Sequence, residues 1–164
     1  MYDSLEKLAA EAEKKNLMFW QAVLEDDCLE RGITKEQSMK QIEKMYEAMK
    51  RSDKEYDSGL SSESGLVGGE GAKMEKARKT SNLLCGNFIG LVMEKALKMG
   101  ESNACMRRIV AAPTAGSCGV VPAVLLSMEQ EKKIPIEEMI QALYVAAGIG
   151  GVIANRAFIA GAAG

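Results

Sequence analysis

The side chains best suited to chemistry sit in one run, Pro113-Thr114-Ala115-Gly116-Ser117-Cys118-Gly119, between apolar Ile109-Val110-Ala111-Ala112 and Val120 to Leu126. Two hydroxyls, a thiol and two glycines on so short a stretch make a turn small enough for a ligand to approach its backbone closely. Pro113 biases Ala112 toward an extended conformation. Pro122 has no N–H and is tolerated where the first N–H groups of a helix are unpaired, which puts the cap of the next helix near Gly119. Thr114, Ala115, Gly116, Ser117 and Gly119 then lie just outside a helix N-terminus. Free N–H groups and the positive end of the dipole there attract an anion, most simply a carboxylate. The same composition also suits a plain breaker cluster joining two buried segments.

Other chemistries are limited by composition. With no histidine, the chain alone cannot perform Ser-His or Cys-His catalysis or offer an imidazole to a metal. Cys28, Cys85, Cys105 and Cys118 form no C-x-x-C pair, which removes zinc-ribbon and thioredoxin motifs. A net charge of -2 and 5% aromatic residues give no electrostatic or stacking case for nucleic acid. Met1-Tyr2-Asp3-Ser4-Leu5-Glu6 lacks the basic-then-apolar order of a signal peptide, so a cytosolic protein with reduced thiols is expected. The chain ends on Phe158-Ile159-Ala160-Gly161-Ala162-Ala163-Gly164, an apolar small-residue run that reads as a truncated protein.

The elements that must position the turn read as helices throughout, an all-α architecture, since no convincing period-two stretch occurs. Residues 1–54 read as a charged helical hairpin: one long helix from about Ser4 to Arg31 stopped by Gly32, and a second opened by a Thr34/Gln37 capping box. Met39, Ile42, Met45, Tyr46 and Met49 form its core-facing stripe. Residues 55–71 are a Ser/Gly-rich loop, and residues 72–164 a helical core that contains the Pro113–Gly119 turn. In that core the pattern predicts a helix from Met74 to Gly100, where Gly86 and Gly90 allow close packing, and a cap at Ser102 or Asn103. Helices from Val120 to Glu131 and from Pro135 onward follow, the latter opened by proline and the first-turn acids Glu137 and Glu138. Cys28, Cys85 and Cys105 fall in helical patterns and read as core residues, with Cys118 a small buried or half-buried side chain. The apolar run between Gln141 and Asn155 falls short of the ~20 residues of a membrane span. Gly148-Ile149-Gly150-Gly151 echoes a dinucleotide fingerprint but reads better as small residues for close helix packing.

The segment Ala112-Pro113-Thr114-Ala115-Gly116-Ser117-Cys118-Gly119-Val120-Val121-Pro122-Ala123 resembles the signature loop of the iron–sulfur-dependent L-serine dehydratases, alpha subunit or domain. Many members have Asn at the position of Ala115 and Glu at that of Ala163. Gly65-Leu66-Val67-Gly68-Gly69 with Ala72-Lys73-Met74 resembles a second glycine-rich stretch of that family, as do the N-terminal Met1 to Leu8 and the segment Ala154 to Ala162. The resemblance implies a 4Fe-4S enzyme converting L-serine to pyruvate and ammonia. An open iron would act on the hydroxyl as a Lewis acid, and a base of unassigned identity would take the Cα proton. It also implies a beta subunit as partner, with homo-oligomers a further option, and neither nucleic acid nor membrane. Lys73 becomes a candidate cation for the substrate carboxylate. The family's ligand cysteines lie downstream of the Ala154–Ala162 segment, so none of the four cysteines matches a ligand, and this polypeptide alone is expected to bind no cluster and be inactive. Two alternatives stay open: a related cluster-dependent cysteine desulfidase, and a non-catalytic helical interaction module.

Overall fold

The computed structural model describes residues 3–81, 83–108, 110–112, 114 and 117–157. Among them it shows α1 (Leu5–Lys14), α2 (Phe19–Arg31), α3 (Lys35–Lys54), α4 (Glu70–Thr80), α5 (Gly86–Ala104), α6 (Val120–Lys132) and α7 (Ile136–Arg156), and no strand. The architecture is all-α, as the periodicity requires. The chain divides into two compact units, Met1–Met45 with Pro135–Gly164, and Tyr46–Ile134, with the boundary inside α3.

In the first unit the long helix expected from Ser4 to Arg31 is two helices. Apolar spacing continues across residues 14–18, but Asn16 takes the left-handed conformation (φ 53°) and Leu17 N–H donates to Ala12 O (2.9 Å), closing α1. Gln21 Oε1 then accepts from Met18 N–H (2.8 Å) and opens α2. Gly32 ends α2 in the left-handed region (φ 63°), and Thr34 and Gln37 cap α3 reciprocally at 2.9 and 3.2 Å, both as the sequence predicts. The stripe on α3 is only partly buried: Tyr46 and Met49 are inside, Met45 is exposed. α2 packs on α1 and α7, and a Cβ at Gly148 would fall 2.5 Å from Val23 Cγ2, so Gly148 serves close packing inside a helix, whereas a Cβ at Gly150 would meet nothing within 4 Å; among the described residues no strand precedes them. Ser38, fully buried, shares a hydrogen bond with Tyr144 (2.7 Å) and donates to Asp27 (2.5 Å). Pro135 is the N-cap of α7, one position earlier than predicted. The expectation that this segment is too short for a membrane needs correction. Gln141 and Asn155 do not break the helix, and α7 is long and apolar enough to cross a bilayer by length and composition.

In the second unit the predicted helix from Met74 to Gly100 is broken. Thr80 Oγ1 and Ser81 Oγ bond back to Lys76 O (2.8 Å) and Ala77 O (2.5 Å), α4 ends, and α5 restarts at Gly86 with φ 74°. Gly86 thus supplies a conformation rather than a contact. Gly90 supplies the contact, since a Cβ there would meet Leu83 Cδ1 at 2.5 Å. Ser102 and Asn103 lie in the last turn of α5 instead of at the start of a helix. α5 packs on both α4 and α6. Its join to α4 is ionic: the nearly buried Glu94 receives Arg78 Nε and Lys98 Nζ, each at 2.7 Å, and Lys98 also reaches Glu75 (2.8 Å). Opposite charges in one desolvated seam satisfy one another where a lone charge would be costly.

Candidate functional site

The helix cap near Gly119 is where the sequence places it, with Gly119 the N-cap of α6. What holds the turn is α5. A Cβ at Gly119 would come 2.7 Å from Ala96 O and 3.1 Å from its Cα, so only glycine lets the two backbones meet this closely. Cys118 is buried with its thiol toward Met99 O (3.8 Å), which makes it a small packed side chain as expected. Thr114 and Ser117, both half-buried, share a hydroxyl–hydroxyl hydrogen bond of 2.9 Å, and Ser117 N–H donates to Thr114 Oγ1 (3.3 Å). Ala115 and Gly116, also expected in the seat, lie outside the described residues, as does Pro113.

The amides of the helix itself are not free. Val120 N–H donates to Ser117 O (3.2 Å), Val121 N–H to Ala112 O (3.3 Å) and Ala123 N–H to Gly119 O (3.0 Å), while Pro122 has none. An anion at this end of α6 would therefore draw on the turn's own groups, the hydroxyls of Thr114 and Ser117 foremost. A neutral hydroxyl donates to a carboxylate without the desolvation cost of a buried cation.

Lys73 lies elsewhere. It sits in the first turn of α4, its side chain 76% exposed and 3.7 Å from Glu70, and no hydrogen bond or ion pair joins it to Thr114 or Ser117 among the described residues. The loop before α4 is internally bonded: Ser62 N–H donates to Val67 O (2.8 Å), Gly65 N–H to Ser62 O (2.8 Å) and Val67 N–H to Ser62 Oγ (3.1 Å). At the start of α4 itself stands a group that the sequence reading missed. Glu101, 5% exposed on α5, accepts from Gly71 N–H (2.9 Å) and from Tyr56 OH (2.5 Å), and Tyr56 OH accepts from Ala72 N–H (3.2 Å). Burial and this carboxylate push the Tyr56 phenol up to about 12. The Gly68 N–H holds the Glu70 carboxyl below its usual range. No local signal could have found Glu101, which meets Gly71 from 30 positions away.

The cysteines do not converge. Cys28 is half-buried on α2, Cys118 is buried, Cys105 follows α5 half-buried, and Cys85 is exposed ahead of α5, contrary to its expected place in the core, because the helix breaks there. No group of three Cys, Asp or Glu that could hold a metal occurs among the described residues, so this donor set does not fit a cluster.

Comparison with known proteins agrees with the signature loop. The family model described as "Serine dehydratase alpha chain" matches residues 14–164. The probable L-serine dehydratase alpha chain of Bacillus subtilis is 31% identical over 164 residues, 100% of this chain and 55% of the relative. The L-serine dehydratase alpha chain of Peptoniphilus asaccharolyticus is 28% identical over 152 residues, 92% and 52% respectively. An L-serine dehydratase of Escherichia coli is 39% identical over 77 residues, 46% of this chain and 17% of that one. The chain spans about half the length of the first two. No solved structure matches it.

Proposed function

We propose, since the chain belongs to the serine dehydratase alpha chain family, that it forms part of an L-serine dehydratase and supplies the seat for the carboxylate of L-serine. The observation that carries this reading is the Thr114–Ser117 hydroxyl pair, half-buried in the turn that Gly119 pins against α5. Each hydroxyl has one hydrogen, and the bond between them uses only one of the two, so at least one remains to donate to a carboxylate. This reading also includes Ala115 and Gly116, which the sequence gives as small residues, in the seat. Lys73 enters this reading only through its long-range charge.

The reaction removes the Cα proton and the β-hydroxyl of L-serine, and the resulting aminoacrylate becomes pyruvate and ammonia. Holding the carboxylate fixes the Cα–H and the C–O bond relative to the rest of the enzyme, which is a contribution of orientation. A 4Fe-4S cluster belongs to this reading through the family, but the described cysteines do not fit it, and no step of this chain runs through them. The chain alone therefore binds L-serine without turning it over, and a beta subunit completes the enzyme. The same reading places the protein in the cytosol, with α7 as a packing helix, supported by its buried Met139, Ile140, Leu143, Tyr144 and Val152 and its packing on α2.

Calorimetric titration of the chain with L-serine, paired with a pyruvate assay before and after anaerobic treatment with iron and sulfide, tests this. Saturable binding without pyruvate is expected. Absence of binding would overturn the seat, and a stoichiometric cluster with turnover would overturn the division of labour.

A further inference from the structure

A second polar cavity lies in the Tyr46–Ile134 unit, with a volume of about 470 Å³, lined by Ser52, Glu55, Asp57, Ser102, Met106, Arg107 and Arg108. Among the described residues, none from Thr114 to Gly119 lines it. Its walls come from the ends of α3 and α5 and the residues just after them. After α5, Met106 takes a left-handed conformation (φ 58°) and Arg107 N–H donates to Ser102 O (2.8 Å), which turns the two arginines back toward the helix end. After α3, Asp57 is fixed by Gly59 N–H on its Oδ1 (2.9 Å). The bond from Tyr56 OH to Glu101 (2.5 Å) ties residues 55–57 to α5, so the two walls are held together without a ligand.

The charges in this cavity are balanced but not paired. Two guanidinium groups and two carboxylates line it, and neither arginine forms an ion pair or side-chain hydrogen bond among the described residues. Ser52, 5% exposed, adds a hydroxyl to the same wall. Elsewhere in this unit Lys50, Arg78, Lys79, Lys95 and Lys98 each have a carboxylate partner. A simple anion would face Glu55 and Asp57, and a simple cation would face Arg107 and Arg108. A ligand carrying both charges satisfies both walls.

We propose that this cavity binds the zwitterion of a free α-amino acid, its carboxylate on Arg107 and Arg108, its ammonium on Glu55 and Asp57, with Ser52 as an added hydrogen-bonding group. Arginine's planar fork suits a carboxylate bidentately, and the exposed Met106 leaves the side-chain end of the ligand in an apolar, adaptable contact. The site is separate from the proposed serine seat and stands or falls without it.

The test is calorimetric titration of the 164-residue chain with L-alanine, which has no β-hydroxyl to lose, and with acetate, methylammonium and inorganic phosphate as probes of each charge alone. L-Alanine is expected to saturate and each single-charge probe to bind far more weakly. The double substitution Arg107→Gln with Arg108→Gln should weaken L-alanine by about 10- to 100-fold, the range for losing hydrogen bonds to a charged group. Glu55→Gln should weaken it less, and both variants should melt as the parent does. Thr114→Ala with Ser117→Ala should leave this binding in place. Phosphate binding more tightly than L-alanine would overturn the proposal, as would L-alanine binding that survives the arginine changes when they are combined with Thr114→Ala and Ser117→Ala. Loss of L-alanine binding in the Thr114/Ser117 variant alone would overturn it too, while leaving the serine seat standing.

Discussion

At the start of α4 the amides of Gly71 and Ala72 are taken by Glu101 and Tyr56, side chains from far along the chain, whereas at the start of α6 the amides of Val120 and Val121 are taken by the backbone carbonyls of Ser117 and Ala112. In sequence both are glycine-bearing turns opening a helix, the feature that suggests an anion site. The first already holds an anion, the chain's own buried carboxylate, and its chemistry is finished. The second closes its backbone with neutral groups and leaves a pair of hydroxyls at the rim. A glycine-rich helix start is therefore not enough to mark a binding site; the decisive question is which group already fills it.

The contrast breaks first at Glu101. Glu101→Ala leaves Gly71 N–H and Tyr56 OH without their acceptor in a buried place, and should lower unfolding free energy by about 3 kcal/mol. A fall in urea midpoint with unchanged slope is the expected readout. Gly119→Ala should cost about 2 kcal/mol, because the added methyl meets backbone atoms of Ala96 rather than the end of a flexible side chain. Tyr56→Phe should cost about 1 kcal/mol at neutral pH, since its hydroxyl gives up one hydrogen bond to a charged group and one from an amide while the ring still packs. Its pH dependence sharpens the picture. The phenol's value is about 12 in the folded chain against 10.0 for the free group, so its contribution is complete below pH 10 and fades as pH rises from 10 to 12. Parent and Tyr56→Phe should converge in melting temperature over that window, and parallel curves would show that the phenol is not buried against Glu101.

What was legible in the sequence follows the range of the interaction. Thr34 with Gln37, Gly32 and the Gly119 cap are local signals, each completed within a few residues, and each stands where it was read. The breaks at Asn16 and at Ser81–Gly86 were hidden because apolar spacing runs on across them, and only the left-handed turn at Asn16 or the back-bonded hydroxyls of Thr80 and Ser81 reveal the stop. The length of α7 was misjudged for the opposite reason: Gln141 and Asn155 are polar but helix-compatible, so polarity did not mark an end. The Glu101–Gly71 and Lys95–Asp53 bonds join positions 30 and 42 apart, and no spacing rule reaches that far. The family was legible because its signature is a contiguous run, residues 112–123, whose small side chains tolerate few replacements where Gly119 abuts α5.

The smallest expected effect on stability separates the two helix starts most sharply. Ser117→Ala removes a half-buried hydroxyl whose partner, Thr114 Oγ1, still receives the Ser117 amide, so the fold should lose about 0.5 kcal/mol. If the turn seats a carboxylate, the same change removes a hydrogen bond to a charged group and should weaken L-serine binding by about tenfold or more. Stability and affinity for the α6 turn thus move apart at Ser117, whereas Glu101→Ala lowers stability without touching that turn. Thr114→Val sharpens the point further, because it keeps the branched shape while deleting the oxygen that accepts both the Ser117 amide and, in one orientation, its hydroxyl. That variant should weaken L-serine at least as much as Ser117→Ala. Titrations that leave affinity unchanged in both variants would make the α6 turn what the α4 turn already is, a helix start completed from within.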